Sequence, residues 1–238
     1  MRTNIEIPPN SRRRGMKVLC IADLHAKAGF LPAMRNFLAN EKNGDIEAIF
    51  CLGDIVNAGG DLEYLGNLLS IDNKLPFFYV PGNNDYGAVY DIMKKYSVEN
   101  KIVEFRGLPA DASRPAMQTG EKIIGMGGIP DLYGHNIYYP NVKAEDLKDS
   151  IFLSHIPPNK VKNLKKFDHN EINANDLKNA PKIQISGHIH SAWGVGYIGK
   201  TKVLKLPAGL DMMAAILDTE SLAVEFIDMK KYDRVSLS

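Results

Sequence analysis

The sequence predicts an α/β fold with a largely parallel sheet, and three observations lead there. Short apolar, β-branched runs recur along the chain, helical segments separate the early ones, and one run after another stops at a glycine or tight turn followed by Asp, Asn or His. Strands alternating with helices pair in parallel, and open sheets of that kind place their ligand sites at the carboxyl ends of the strands.

The bulk properties are those of an ordinary globular chain. Its 238 residues are 45% hydrophobic and 24% charged, which allows a substantial core and excludes whole-chain disorder. Lys plus Arg at 29 against Asp plus Glu at 28 leave a formal net charge of +1, so no field is available to hold nucleic acid non-specifically. No apolar run approaches the roughly 18 residues that span a bilayer, and the segment before Met16 lacks the apolar stretch of a secretory signal. A cytoplasmic protein without membrane contact is expected. Cys20 and Cys51 fall inside apolar strand runs and read as buried free thiols.

Residues 1–15 carry prolines, asparagines and three consecutive arginines without periodicity, and read as a flexible N-terminal extension to a single domain over 16–238. Lys17 to Ala22 is the first strand, nearly continuous in apolar character because both faces are covered, and it ends in Asp23-Leu-His25. Gly29 and Pro32 suggest a turn, Ala33 to Asn40 a helix, and Glu47 to Leu52 a second strand ending in Gly53-Asp54. A helix over Asp61 to Leu69 leads to a third strand, Leu75 to Val80, and to Pro81-Gly-Asn-Asn-Asp85.

Further on, Asp91 to Tyr96 suggests a helix, and Ile102 to Phe105 and Lys122 to Met126 suggest strands. Gly107 to Gly120 is polar and loop-like; Asp131 to Asn141 is a loop with three tyrosines and His135. The glycine-dense Gly125 to Pro130 run lacks the spacing and following helix of a dinucleotide site. Ser150 to Ser154 is a strand that exits at His155-Ile-Pro-Pro158, where the prolines stop regular structure. A helix is expected over Ala174 to Asn179. Then comes Ile183 to His190, in which a β-branched run meets Gly187 and two histidines stand two positions apart, able to face one pocket. Val195 to Ile198, Val203 to Leu206, Ala214 to Leu217 and Leu222 to Ile227 read as short strands, the last two joined by a hairpin at Asp218 to Ser221.

Gathered along the chain, the polar donors at strand ends are Asp23, His25, Asp54, Asn83, His155, His188 and His190. Any one Asp or Asn among them could equally cap the helix that follows it. Four of the six histidines stand at strand ends, however, and the recurrence favours a site. Seven mixed oxygen and nitrogen donors exceed one four-coordinate zinc and suit two metals sharing a bridging carboxylate.

Asp23-x-His25, Gly53-Asp54, Gly82-Asn83-Asn84-Asp85, His155 and Gly187-His188-x-His190 resemble, in order, the five motif blocks of the calcineurin-like metallophosphoesterases. The resemblance runs over about residues 16 to 210, and the Ser154-His-Ile-Pro-Pro158 and Ser186-Gly-His-Ile-His190 runs look most like the Icc-related phosphoesterases. It implies a four-layer αββα sandwich of two mixed β-sheets with the metals at the strand ends. It also implies that Asp23, His25 and His190 hold one divalent ion, that Asn83, His155 and His188 hold the other, and that Asp54 bridges them. Two such ions about 3.5–4 Å apart lower the pKa of a bridging water and neutralise phosphoryl charge, so hydrolysis of a small phosphate ester is the expected reaction. Mn²⁺ is the first expectation, and Fe²⁺, Zn²⁺ and Ni²⁺ also accept this ligand mixture.

The third block departs from the family, which most often has Gly-Asn-His-Asp/Glu, its His protonating the leaving oxygen and its acid orienting that His. Asn84 occupies the His position here, followed by Asp85. An amide cannot supply a proton and recover it near neutrality, which favours phosphodiesters with good leaving groups unless a group such as His135 takes over. Two rivals follow. One is a catalytically weak metal-binding scaffold on the same fold, which Asn84 favours and the complete ligand set opposes. The other is a nuclease, which the balanced charge opposes.

Overall fold

The computed structural model describes residues 15–58, 60–72, 74–105, 120–127, 144–164, 177 and 180–233. Its strands form two mixed sheets. The first has β1 (Lys17–Ile21), β2 (Ile46–Cys51) and β3 (Phe77–Tyr79) in parallel, interleaved in sequence with helices α1 (Phe30–Ala39) and α2 (Leu62–Leu69), with α3 (Ala88–Met93) following β3. The second begins with β4 (Ile102–Phe105) antiparallel to β5 (Glu121–Met126), continues in parallel through β6 (Ile151–Ser154), β7 (Ile183–Ser186) and β9 (Thr201–Lys205), and ends on β8 (Gly194–Ile198), antiparallel to β9. The chain then returns to the first sheet, where β10 (Met213–Asp218) runs antiparallel to β1, and β11 (Val224–Asp228) antiparallel to β10.

Strand periodicity explains the layering. Successive side chains point to opposite faces, so Leu19 and Ile21 of β1 pack beneath the helices with Phe30, Met34 and Phe37, while Val18 and Cys20 enter the layer between the sheets. That middle layer joins Phe50 and Phe78 to Ile151, Leu153, Ile183 and Ile185, each side chain removed from water contributing about 1.5–3 kcal/mol. On the outer face of the second sheet, Ile124, Phe152 and Val203 pack against Leu147, Val161 and Leu177. Among the described residues this fourth layer is a 3₁₀ turn, Ala144–Leu147, and irregular chain, without an α-helix. Apart from Leu177, the helix expected over 174–179 lies outside the described residues, as do the loops expected over 107–119 and 131–141 with His135, and residues 1–14 of the N-terminal extension. Gly15 is buried, and its amide donates to Glu220.

Helix ends depart from the sequence reading for local reasons. Helix α1 starts at Phe30 and contains Pro32, which the first turn accepts because its N–H groups have no intrahelical partner. Asp61 lies outside α2 as its N-cap and accepts from Tyr64 N–H at 2.8 Å. Helix α3 is three residues earlier than expected: Gly87, at φ +59°, leaves the site loop in a conformation glycine tolerates, and Val89 and Met93, one turn apart, supply its buried face. The β10–β11 hairpin turns where expected, with Asp218 Oδ1 accepting from the amides of Glu220 and Ser221.

Parallel pairing brings the carboxyl ends of β1, β2, β3, β6 and β7 to one rim. Residues 97–99 connect the sheets there, bridging Tyr79 of β3 and Gly125 of β5.

Candidate metal centre

The rim loops are held in conformations their residues would not adopt alone. Asp23, His25, Asp54 and His188 all have positive φ, from +45° to +70°, a left-handed backbone that costs non-glycine residues about 1–3 kcal/mol each. Backbone bonds between neighbouring loops hold them: Asp23 N–H to Gly53 O, His25 N–H to Asp54 O, and Leu210 N–H to Asp23 O, all within 3.0 Å. Glycines permit the close approach. A Cβ on Gly82 would lie 2.2 Å from Asp54 Oδ1, and one on Gly187 would lie 2.6 Å from Ala22 Cβ and 2.7 Å from Asp23 Oδ2.

The seven donors identified in the sequence meet at this rim in two groups. In the first, His25 Nε2 is 3.3 Å from His190 Nε2, which is 3.7 Å from Asp23 Oδ1. In the second, His155 Nε2 is 3.1 Å from Asn83 Oδ1 and 3.2 Å from His188 Nδ1. Asp54 stands between them, its Oδ2 3.7 Å from His25 Nε2 and 3.6 Å from His155 Nε2. Ligand atoms of Asp23, His25 and His190, and separately of Asp23, Asp54 and His155, lie close enough together to share an ion.

The hydrogen bonds around the rings decide which nitrogens face the centre. His155 Nδ1 is 2.6 Å from Leu52 O, so it carries the proton and leaves a lone pair on Nε2. That lone pair faces the oxygens of Asn83 and Asp54. His25 Nδ1 is likewise 3.0 Å from Asn57 Oδ1, whose amide donates to His25 O, so the His25 Nε2 lone pair also points inward. Asp23 Oδ2 accepts from His188 N–H, but its fully buried Oδ1 has no hydrogen-bond partner among the described residues. Converging acceptors and an orphaned buried carboxylate oxygen are costly unless a cation lies among them, so the donor set fits divalent metal.

Electrostatics follow from this crowding. Burial pushes the Asp23 carboxyl upward, but His190, His155 and the His188 N–H outweigh it and hold it below the ordinary carboxylate value. The Asp23 carboxylate raises the His190 imidazole, whereas burial and the neighbouring His155 push His188 down to about 4.

Asn84 and Asp85 have distinct surroundings. Asn84 lies on Asp54, its backbone N–H donating to Oδ1 at 2.8 Å and its side-chain amide to Oδ2 at 2.7 Å. Asp85 is fully buried, accepting from Ile55 N–H, Gly82 N–H and the Tyr79 hydroxyl, and burial raises its carboxyl. These bonds fasten the loop carrying Asn83 to the loop carrying Asp54. Asn57 escaped the sequence reading. Its only signal is an amide three residues beyond Asp54, and its bracket around His25 exists only after the loops meet.

Among the described residues, no helix is long and apolar enough to cross a membrane. No curated protein matches the sequence. Among solved structures, TT1561 of Thermus thermophilus is 17% identical with a TM-score of 0.62, the alignment covering 90% of this chain and 99% of that one. GAP50, the anchor in the inner membrane complex of Plasmodium, is 13% identical (TM-score 0.60; 92% and 86% covered). A dimetal phosphatase from Danio rerio is 10% identical (TM-score 0.55; 91% and 99% covered). These likenesses establish a shared fold. Residues 16–192, which contain every donor described above, match the calcineurin-like phosphoesterase family, and the chain belongs to that family.

Proposed function

We propose that this protein is a binuclear metal-dependent phosphoesterase acting on small phosphate esters, with phosphodiesters carrying good leaving groups preferred. The observation that carries the reading is the position of Asp54 Oδ2, between the inward lone pairs of His25 and His155. Asp23, His25 and His190 would hold one ion and Asn83, His155 and His188 the other, with Asp54 shared. When bound, the ions would supply a water acidic enough to serve as nucleophile near neutral pH and positive charge for the phosphoryl oxygens.

The chain's own groups do the rest. Leu52 O and Asn57 fix which ring nitrogens face inward, and the buried Asp85 keeps the Asn83 and Asp54 loops in register. Asn84 offers an amide that can donate a hydrogen bond but not a proton, so the leaving oxygen departs with the basicity its own substituent gives it. Aryl or cyclic diesters meet that requirement better than alkyl monoesters. Mn²⁺ suits the oxygen and imidazole mixture, and the buried thiols of Cys20 and Cys51 are consistent with a cytoplasmic setting.

Turnover of bis-p-nitrophenyl phosphate by metal-depleted protein, alone and with added Mn²⁺, tests the reading. Activity restored by two bound ions per chain is expected. Two ions bound without turnover, whichever divalent metal is added, would instead support a scaffold on this fold.

A further inference from the structure

Behind the histidines, on the outer face of the second sheet, lies a hydrogen-bonded relay. Gln184 on β7 donates from Nε2 to Ser154 Oγ at the end of β6 at 2.7 Å, and Ser154 Oγ donates to Ile156 O, also at 2.7 Å. The second bond passes over the intervening residue, His155. Gln184, Ser154 and His155 are all fully buried. His155 O accepts from Gly187 N–H, so the turn after β6 is tied on one side to the turn that carries His188 and on the other to the side chain of Gln184.

Gln184 is a costly residue for its place. Flanking Ile183 and Ile185 fill the middle layer, whereas the Gln184 amide is buried with its Oε1 unpartnered among the described residues, which loses free energy relative to an apolar side chain of the same size. The bond its side chain does make ends on the peptide segment that aims an imidazole. We infer that Gln184, acting through Ser154, is a positioning residue for His155 and sets the affinity of the ion that His155 shares with Asn83 and His188. Without the relay, Pro157 and Pro158 still end the strand, but no other side chain among the described residues is bonded to the Ile156 carbonyl. The ring can then turn about its Leu52 bond. Partners one step removed from a metal ligand typically change affinity about 10- to 100-fold.

This inference rests on the two-ion reading, and the experiment separates them. Metal-depleted wild-type protein is titrated calorimetrically with Mn²⁺, and the visible absorption of the Co²⁺ form is recorded. Fewer than two ions bound by the wild type would overturn the two-ion reading and the relay's role with it. Given two, Gln184→Met and Ser154→Ala should each weaken one of them about 10- to 100-fold, leave the other unchanged and alter one component of the Co²⁺ spectrum. Ser154→Thr, which keeps the hydroxyl, should restore both. Wild-type affinities in Gln184→Met and Ser154→Ala would overturn the proposal, as would an equal loss at both sites accompanied by lower thermal stability. Should Gln184→Met fail to fold, the Ser154→Ala and Ser154→Thr pair decides alone.

Discussion

Asn84 holds both oxygens of Asp54, one through its backbone N–H and the other through its side-chain amide. The residue standing where the family most often has a histidine is therefore bound to the carboxylate that stands between the two donor groups. Substitution to alanine keeps the backbone bond and removes the amide, freeing Oδ2 to rotate away from His25 and His155. Asn84→Ala should weaken Mn²⁺ binding about tenfold, read by titration of the metal-depleted protein. Asn84→His adds a group that can give up a proton near neutrality. It should raise kcat/KM on an alkyl phosphodiester by about 10²-fold while changing an aryl diester little, and equal effects on both would show that leaving-group protonation is not limiting.

Metal binding should depend on pH through His190. The ligand form is the neutral ring, and Asp23 raises the His190 pKa above its ordinary 6.5. As pH falls through that raised value, the ion that His190 would hold must displace a proton, and its apparent affinity should drop about tenfold per pH unit. His188, at about 4, is already neutral throughout this range and adds no slope. In the metal-free protein the sign is reversed. The Asp23–His190 attraction stabilises the fold fully below about pH 6.5 and is lost as pH rises through the higher folded value. Titrations between about pH 5.5 and 8 check the first expectation, and urea unfolding with chelator checks the second. His190→Ala should flatten the first dependence and abolish the second.

Much of this site was legible because a parallel α/β arrangement sends successive strand ends to one rim. Asp23, Asp54 and His155 could be recognised from an apolar run that stops at a donor. The second sheet could not be read from periodicity, since Ile151 to Ser154 and Ile183 to Ser186 are as continuously buried as strands of the first sheet and carry no mark of which layer they join. It came from the motif resemblance. The Asn57 bracket and the Gln184–Ser154 relay were invisible for a related reason: each depends on contacts between residues about 30 positions apart, and an isolated Asn or Gln carries no sign of what it will reach.

Gly82 tests the cost of bringing the loops together. The Cβ of Gly82→Ala would fall 2.2 Å from Asp54 Oδ1 and 2.4 Å from the Asp54 amide, and backbone cannot yield as a flexible side chain does. The loop must move, breaking the Asn84 bonds to Asp54 and the Gly82 bond to Asp85. A loss of about 2–4 kcal/mol in urea unfolding is expected, together with loss of Mn²⁺ binding. Gly66→Ala is the control: nothing lies within 4 Å of the added methyl, and alanine favours the helix by about 1 kcal/mol.

Asp85 follows Asn84 directly, and its place in the fold predicts a stability effect rather than a direct part in the reaction. The Tyr79 hydroxyl and Gly82 N–H donate to Oδ2 and Ile55 N–H donates to Oδ1. Burial works against the carboxylate, so these donors keep its charge tolerable. Tyr79→Phe removes one of them without opening a cavity and should cost about 1.5–3 kcal/mol, the range for a hydrogen bond to a charged group. Asp85→Asn leaves one acceptor but turns an NH₂ group, or the equally unsuited alternative, toward backbone donors, and should cost as much or more. Because both substitutions act on the same cluster of bonds around Asp85, their effects should not add. The double variant should show a coupling of about 1–3 kcal/mol, with kcat for the metal-loaded Tyr79→Phe enzyme close to wild type at a temperature where both are folded. A kcat reduced by orders of magnitude in folded, metal-loaded Tyr79→Phe would instead place the Asp85 charge in the chemical step.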